Sequence, residues 1–434
     1  MARPPVHRMT LGNGLRVVLA PDGRVPVVGV SVHYGVGFRS EPPGRAGFAH
    51  LFEHLMFRGS ENLPDGRFYD HILGNGGEAN GTTRQDYTEY FQKVPAAQLG
   101  PALFSEADRM RAPLFTESAV REQVAGVARE IAEATVGRVL GGFPWPALPG
   151  VAYGTWADAH DGYGRTEDLL ATTPEECADF FDRHYAPGNA VLTVAGGFGA
   201  EQARAWVERL FGDIPARPHA AGPAETEGAW TRDRWAAGTE PGIGRTAVAF
   251  AHRLPDPRAD LDGYLAHMVL ADLLGGHRPI PGAEVVLESG CGFFEPLDAL
   301  DPDTLVTTAL LPDGIEAVRV RDAVRGFLAG RAASPETAVL AAEAADRFGL
   351  RHHRRHGDPM RLARSLGRME LLFGRAPLVY DLPEMMRALP AEKVAGAAAS
   401  LAAAPLAALE LRPGPHRTRP GARAADPEAE PRRG

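Results

Sequence analysis

The feature that most constrains this chain is the pentapeptide His50-Leu51-Phe52-Glu53-His54. Residues three and four apart share one face of a helix. At about 100° per residue, His54 lies about 40° from His50 on one side and Glu53 about 60° from it on the other. The two imidazoles and the carboxylate therefore lie side by side. Imidazoles one turn apart can bind zinc, and a carboxylate beside them can act as a base on metal-bound water.

The opposite face of the same helix is apolar, which is typical of a helix that packs on a core. Two histidines and a glutamate could equally belong to a solvated helix face, so the pentapeptide alone does not establish a metal site. The rest of the chain has to decide between the two interpretations. The apolar face consists of Phe48, Leu51, Phe52, Leu55 and Met56.

Length and composition limit the classes of protein to which this chain can belong. A chain of 434 residues predicts two or more domains, and 44% hydrophobic with 23% charged residues is ordinary for a soluble globular protein. A net charge of -9 argues against nucleic acid or an anionic membrane as the main partner. The N-terminus shows no apolar region typical of a secretory signal, and no apolar run is long enough to span a membrane. We therefore expect a cytoplasmic protein.

Hydrophobic periodicity and turn residues predict alternating strands and helices in the first half. The Gly12-Asn13-Gly14 turn joins the first two strands as a hairpin. The predicted strands are His7–Thr10, Leu15–Ala20, Val25–Gly37, Glu78–Thr83, Asp86–Phe91 and Ala190–Ala195. The predicted helices are the His50 helix, which stops at Gly59, and those over Pro64–Leu73, Ala96–Arg111, Glu117–Val136, Pro174–Tyr185 and Ala200–Phe211.

A similar order of elements is predicted again in the second half. After it, the Pro/Arg/Gly/Glu-rich end of the chain cannot bury enough surface to fold, so we expect disorder there. The predicted strands are Thr246–His252, Gly292–Glu295, Thr304–Leu311 and Leu406–Leu411. The predicted helices are Leu261–Leu274, a short one at Ala283–Ser289, and several more that extend to about residue 402.

The repeated order predicts an α+β protein with two related halves, each a mixed, mostly antiparallel sheet covered by helices, arranged as a half-clamshell. The metal motif lies in the first half only. The expected divisions are a catalytic domain over residues 1–215, a linker rich in Ala, Pro, Gly and Glu over 216–230, a second domain without the metal motif over 231–412, and a disordered tail over 413–434.

Three glutamates on the predicted helix over Glu117–Val136 are candidates for a third metal ligand. A catalytic zinc usually takes three protein ligands and keeps a fourth position for water. Glu130 lies next to the apolar stripe and Glu133 is one turn further on, whereas Glu122 is about 80° away from Glu130. Each of them, taken alone, could also be a solvated glutamate. The apolar stripe consists of Val120, Val124, Val127 and Ile131.

The His-x-x-Glu-His motif, followed by Glu130 within Val127-Ala128-Arg129-Glu130-Ile131, resembles the inverted-zincin metallopeptidases of the pitrilysin family. The length is similar to that of the short, processing-peptidase-like members, which are built from two related halves. Further stretches of the first half are also similar to the family. They are Leu11–Leu15, Gly47–His50, Tyr185–Ala190 and Gly77–Tyr90, in which Asn80-Gly81-Thr82-Thr83 corresponds to the Asn-Ala-x-Thr strand of the family.

The resemblance implies a zinc metallopeptidase with one zinc ion per chain. In the matching positions, His50, His54 and Glu130 are the zinc ligands, and Glu53 is the catalytic base. The resemblance also places an extended peptide substrate along an exposed strand by β-augmentation, although the same strand could be an ordinary sheet edge. The residues of this strand implied in substrate binding are Asn80, Gly81 and Thr82.

The chain departs from the family pattern in two places. Where the family often carries a second acidic residue on the helix of the zinc glutamate, this chain has Gln123, next to Glu122. Single-chain members also resemble one another in an Arg and a Tyr of the second half, which hold the substrate and the developing oxyanion. Two alignments are open, and neither position of either pair carries an Arg or a Tyr. The pairs are Val286 with Phe293, or Leu287 with Phe294.

Because phenylalanine and aliphatic side chains donate no hydrogen bond, we expect a partner subunit to supply the missing pair. The leading hypothesis is a zinc endopeptidase that acts on extended peptides as the metal-bearing subunit of a heterodimer with a homologous chain; a homodimer is the alternative assembly. The rival hypothesis is a non-proteolytic assembly or peptide-binding subunit of a larger complex. The intact motif residues His50, Glu53, His54 and Glu130 favour the peptidase.

Overall fold

Two β-sheets, one in each half of the sequence, carry the fold of this protein. The computed structural model describes residues 5–64, 66–220, 222 and 227–415. Within these residues a six-stranded sheet and a five-stranded sheet are covered by helices, which confirms the predicted α+β class. The strands are β1 (His7–Thr10), β2 (Arg16–Pro21), β3 (Val27–Tyr34), β4 (Glu78–Thr83), β5 (Thr88–Pro95), β6 (Ala190–Gly196), β7 (Arg234–Pro241), β8 (Thr246–Arg253), β9 (Glu288–Cys291), β10 (Thr304–Leu311) and β11 (Ala407–Gly414).

The helices lie between these strands in chain order. None of those in the described part of the chain is both long and apolar enough to cross a membrane. The helices are α1 (Phe48–Leu55), α2 (Arg67–Gly74), α3 (Leu99–Arg111), α4 (Glu117–Ala134), α5 (Pro149–Ala152), α6 (Trp156–Ala159), α7 (Thr166–Leu170), α8 (Pro174–His184), α9 (Ala200–Phe211), α10 (Leu261–Leu274), α11 (Ala317–Ala333), α12 (Thr337–Arg355), α13 (Pro359–Phe373), α14 (Leu378–Ala388) and α15 (Ala391–Ala403).

The two sheets share one topology. The first has the order β1-β2-β6-β3-β5-β4 and the second the order β7-β11-β8-β10-β9. In both, one pair is parallel (β2 with β6, β11 with β7) and the other neighbours pair antiparallel. Strand β4 at the edge of the first sheet therefore corresponds to β9 at the edge of the second. Strand β1 is an addition to the first sheet.

Several predicted elements of the second half were wrong. The predicted helix at Ala283–Ser289 is extended chain, because burial alternates with a period of two: Val285 and Leu287 are buried, whereas Val286 is exposed. The edge strand is Glu288–Cys291, not Gly292–Glu295. Residues after Cys291 turn instead, and Gly292 takes a positive φ of 78° that favours glycine.

Boundaries near the ends of elements also shifted. Helix α1 ends at Leu55 and continues as turns, so it is shorter than the predicted helix to Gly59. Strand β7, which the sequence analysis missed, pairs with β11 and extends that strand to Gly414, two residues into the predicted tail. Residues 416–434 of that tail and residues 221 and 223–226 of the predicted linker lie outside the described residues.

The first sheet is covered on both faces. One face packs against α1, α3, α4, α8 and α9 around a core of the first half. The other face belongs to the core of the second half, through Val18, Ala20, Val191 and Ala195. Helix α13 of the second half lies directly on β3, β5 and β6. Double coverage explains why β3 and β6 are buried almost throughout, in place of the alternation of a half-exposed strand.

Glycines on both surfaces allow helix α13 to approach the sheet this closely. A Cβ atom added to Gly29 of β3 would lie 2.4 Å from Cα of Met360, and one added to Gly367 of α13 would lie 2.6 Å from Nδ1 of His33. Beside them, the guanidinium of Arg364 donates to Oε1 of Glu89 at 2.5 Å. This bond and the ion pair with His33 lower the pKa of Glu89 far below its usual range, although burial opposes the shift.

We predict that Gly367→Ala destabilises the protein, because the added methyl group would overlap the ring of His33. Overpacking of a dense interior typically costs about 1–3 kcal/mol. The matched control is Gly326→Ala, in the exposed middle of α11, where a Cβ meets nothing within 4 Å. That substitution should stabilise by about 0.5–1 kcal/mol, since alanine is the better helix former. Urea unfolding measures both; equal effects would contradict the close contact.

Candidate active site

Helix α1 begins at a glycine that no other residue could replace without strain. Gly47 caps the helix with a φ of 91°, and a Cβ atom there would lie 2.3 Å from the carbonyl oxygen of Tyr163. The apolar face of the helix is buried as predicted, and His50, Glu53 and His54 lie on the remaining face. The buried residues of the apolar face are Phe48, Leu51, Phe52, Leu55 and Met56.

A buried carboxylate holds the start of this helix. Glu41 accepts hydrogen bonds from the backbone N–H of Gly47 at 2.9 Å and of Ala49 at 2.6 Å. Nε2 of His160 lies 3.0 Å from the same carboxylate. Burial raises the pKa of Glu41, although the bonds from His160 and the backbone oppose the shift. A negative group near a helix N-terminus satisfies its unpaired N–H groups and its dipole. The sequence analysis missed both Glu41 and His160.

The structure brings His50, His54 and Glu130 together into one cluster. One ligand atom from each residue lies within 4.8 Å of the other two. Nε2 of His54 is 3.3 Å and Nε2 of His50 is 3.7 Å from the carboxylate of Glu130. The two imidazole rings are 5.0 Å apart and nearly perpendicular. Two imidazoles and one carboxylate are a donor set that zinc prefers in catalytic sites, so these residues fit the metal.

The electrostatics of the cluster favour a cation between its members. The interactions with His50 and then with His54 lower the pKa of the Glu130 carboxyl far below its usual range. Burial alone would lower the pKa of His50, but Glu130 and the nearby charge of Glu53 outweigh it and raise the pKa. Nδ1 of His50 is buried and has no hydrogen-bond partner in the described part of the chain. The site therefore collects negative charge around two imidazoles.

Of the three glutamates that the sequence left open, the structure places only Glu130 at the histidines. The carboxylate of Glu122 is 3.0 Å from Nη2 of Arg58 and thus belongs to a surface ion pair. Glu133 is exposed. Gln123 lines a small cavity together with Glu53 and His54, so this amide, and not Glu122, borders the cluster.

Glu53 is fixed by the neighbouring edge strand. The hydroxyl of Thr83 donates to Oε2 of Glu53 at 2.7 Å. A Cβ atom on Gly81 would lie 2.7 Å from Cγ of Glu53 and 3.2 Å from the ring of Phe57. The glycine therefore lets strand β4 approach helix α1 closely, at the position where the family strand carries alanine. This approach puts the Thr83 hydroxyl within hydrogen-bonding distance of the carboxylate.

Strand β4, with the predicted substrate residues, is the open edge of the first sheet. The backbone N–H of Gly81 donates to Oδ1 of Asn80 at 2.8 Å, and its carbonyl accepts from the hydroxyl of Thr82 at 2.7 Å. In an antiparallel ladder, both backbone groups of one residue point to the same side. The N–H and carbonyl of Gly81 bond to side chains of their own strand. We therefore infer that both groups point to the open edge of the sheet and away from β5.

The second half also reaches the cluster, at one of the positions where the sequence analysis found no Arg or Tyr. Phe294 lines the same cavity of about 210 Å³ as His50, Glu53 and Glu130. Its ring lies 5.1 Å from that of Trp145 and 4.4 Å from the guanidinium of Arg84. The second half thus supplies an aromatic wall at this site instead of an Arg and a Tyr.

The loop around Tyr163 is a further part of the site. The Tyr163 ring lies 5.8 Å from the His50 ring and lines the same cavity. Burial raises the pKa of its hydroxyl, as does the charge of Glu130. Gly162 and Gly164 on either side have positive φ values of 69° and 72°. The sequence signal for this loop is the pair of glycines on either side of an aromatic residue, because such glycines indicate a loop that packs closely against another element.

Comparison with known proteins identifies two family segments. Residues 16–137 match the family described as insulinase, peptidase family M16. Residues 171–290 match the family described as the peptidase M16 inactive domain. The cluster of His50, His54 and Glu130 lies entirely within the first segment. The second segment begins before α8 and ends within β9.

Two curated relatives cover different parts of the chain. Zinc protease PqqE of Helicobacter pylori is 30% identical over 200 residues, which are 46% of this chain and 45% of that protein. Coenzyme PQQ synthesis protein F of Pseudomonas aeruginosa is 26% identical over 346 residues, which are 75% of this chain and 42% of that protein. The chain thus spans about half the length of the curated relatives that it matches.

A solved structure extends the comparison over the whole chain. The crystal structure of a protease from Helicobacter pylori superposes with a TM-score of 0.83 at 21% identity, covering 95% of this chain and 100% of that one. At this identity the likeness concerns the fold alone. The two family segments together cover more than half of the chain, and the His-His-Glu cluster lies in the first of them. The chain belongs to the insulinase family, peptidase family M16, which is the pitrilysin family predicted from its sequence.

Proposed function

We propose that this protein is a zinc metalloendopeptidase that hydrolyses extended peptides, with one zinc ion per chain. The observation that carries the proposal is the convergence of one ligand atom each from His50, His54 and Glu130 within 4.8 Å. Relatives named zinc proteases support the metal and the reaction. The half-buried carboxylate of Glu53, on the same helix face, supports a general base beside the metal site.

In the proposed mechanism, Glu53 moves the protons. A bound zinc would supply a Lewis acid, which polarises a peptide carbonyl and makes water easier to deprotonate. Glu53 takes a proton from the attacking water and then passes it to the amine nitrogen that leaves. The hydroxyl of Thr83 holds one carboxylate oxygen at 2.7 Å, so the carboxylate keeps a defined orientation during both transfers.

The substrate in this proposal is an extended peptide that adds to β4 as a further strand. The backbone N–H and carbonyl of Gly81 face the open edge and bond to the side chains of Asn80 and Thr82. A peptide backbone can replace both side-chain bonds, because an edge strand presents the same spacing of donors and acceptors to any extended chain. Gly81 lies directly against Glu53, so a peptide bound there would pass the base.

The proposed assembly is a heterodimer whose other subunit, homologous to this chain, supplies an Arg and a Tyr; a homodimer remains the alternative. This proposal is supported by Phe294, the residue of the second half that lines the cavity of His50 and Glu53. Its aromatic ring has no hydrogen-bond donor. Relatives with PQQ names match this chain over less than half their own length. A cytoplasmic location stays a prediction from the sequence.

We predict that Glu53→Gln and Glu130→Gln separate catalysis from metal binding. Glu53→Gln should retain one zinc per chain and lose about 10²- to 10⁴-fold in kcat, because the base is gone and the ligands are intact. Glu130→Gln should lose the metal under conditions where the wild type retains it, since a neutral amide replaces a charged ligand. Zinc content by plasma mass spectrometry and cleavage of a quenched fluorescent peptide measure the two effects.

The matched control is Glu133→Gln, one turn along the same helix on an exposed position. It should leave zinc content and kcat within about twofold of the wild type. Zinc retention by Glu130→Gln would contradict the ligand assignment. If Glu53→Gln kept full activity, the base would be assigned wrongly. A zinc-bound wild type that cleaves no peptide with any homologous partner present would favour the rival role as a non-proteolytic assembly subunit.

We also predict that the purified chain binds zinc but cleaves peptides weakly when alone. Addition of a homologous subunit that carries an Arg/Tyr pair should raise kcat by about 10²- to 10³-fold, the usual worth of one oxyanion donor. Titration of the partner against the chain at fixed peptide concentration measures the increase, and a subunit with both partner residues changed to Phe is the control. Full activity of the chain alone would contradict the heterodimer.

A further inference from the structure

The second half contains a cavity of about 330 Å³ at the position that corresponds to the zinc cluster of the first half. In the first half, the cluster lies between α1, the edge strand β4 and the long helix α4. Because the two sheets share one topology, α10, β9 and α12 occupy the corresponding places. These three elements line the cavity, together with α13 and α14.

At the place that corresponds to the cluster of His50, His54 and Glu130, the second half has an ion pair. Asp272 of α10 accepts from Arg347 at 2.7 Å and from Arg351 at 2.8 Å, and both arginines lie on α12. The helix pair is thus held together by cations of the chain itself. Asp272 and Arg351 of this ion pair also line the cavity.

The walls of the cavity are mostly apolar and adaptable. Methionine side chains are flexible and polarizable, so they fit ligands of differing shape. The volume is at the lower end of the range for small-molecule sites, which is about 300–1,000 Å³. An apolar space of this kind favours the apolar part of a ligand over water. The apolar residues that define the walls are Met268, Phe348, Met369, Leu382 and Met386.

Charge is concentrated at one side of the cavity. The side chains of Arg351 and Arg355 are 59% and 42% exposed, which places them at the opening. Arg351 donates a hydrogen bond from Nη2 to Asp272 and Arg355 donates one from Nη2 to Glu295, and each guanidinium has five N–H donors. With Arg368, the lining holds three guanidinium groups against two carboxylates, a net positive charge.

The two histidines of the lining do not alter this balance. Burial lowers the pKa of His352 to about 4 and that of His356 to about 3, so both are neutral near pH 7. Both ring nitrogens of His356 are engaged, with the carbonyl of His352 and the hydroxyl of Ser365, each at 2.9 Å. The histidines are therefore part of the wall, and the arginines carry the charge.

We infer that this cavity is a second binding site, for a small amphipathic carboxylate. The aliphatic body lies among the methionines and the carboxylate lies at Arg355 and Arg351, because guanidinium N–H groups pair well with carboxylate oxygens. The inference is independent of the peptidase proposal, because none of these residues lines the zinc cluster. Its failure would leave that proposal unchanged, and the reverse also holds.

The test is a calorimetric titration of the zinc-loaded full chain with decanoate, below the concentration at which it forms micelles. Decanol, which has the same aliphatic chain and no charge, is the matched ligand. We expect saturable binding of one decanoate per chain. Arg355→Gln should weaken decanoate at least tenfold and decanol less than twofold. Arg204→Gln, at an exposed arginine of α9 that pairs with Glu208, is the control and should change neither.

A second variant fills the cavity. Ala344 of α12 lines it and is buried, so Ala344→Leu should weaken both ligands at least tenfold while zinc content stays unchanged. The inference is overturned if the wild type shows no saturable binding, or if Ala344→Leu binds as the wild type does. If Ala344→Leu does not fold, the two ligands measured on Arg355→Gln decide: an equal effect on decanoate and decanol overturns the carboxylate assignment.

Discussion

The buried carboxylate of Glu41 is the interaction on which the candidate site depends. It bonds the first N–H groups of helix α1 and also the ring of His160, which lies far along the chain. Burying a carboxylate without partners would cost several kcal/mol, whereas each hydrogen bond to a charged group returns about 1.5–3 kcal/mol. The bonds thus fix the direction in which α1 leaves its first turn. Since His50 and Glu53 lie one turn further on, that direction sets where the cluster forms.

The two halves show how one arrangement of elements can be stabilised in different ways. In both, a helix after the central strand crosses a long helix beside an edge strand. In the first half, Glu130 meets the two imidazoles of His50 and His54. In the second half, Asp272 meets Arg347 and Arg351, so the positive charge belongs to the chain. The His-His-Glu cluster and the ion pair thus join the corresponding helices of the two halves through different side chains.

Local sequence patterns predicted those features of the fold and the site that depend on residues close together in the chain. The face shared by His50, Glu53 and His54 follows from helix geometry alone, and the apolar stripe of α4 placed Glu130 at its border. The edge strand with Asn80 followed from its turn residues. Sequence patterns could not place Glu41 or Phe294, because each reaches the site through contacts with distant segments. The region around Val286 was assigned to a helix, since a short apolar run has no period that separates a strand from a helix.

The contact between the halves is also part of the candidate site. Arg84, which directly follows the end of β4 at Thr83, donates to Asp298 of the second half at 2.9 Å, and Tyr87 donates to the same carboxylate at 2.6 Å. The Arg84 guanidinium also stacks on Phe294. The end of β4 is therefore held from the second half, and Thr83 in turn holds Glu53. The position of Glu53, the proposed base, thus depends on a half that contributes none of the proposed metal ligands, because β4 contacts both Glu53 and the second half.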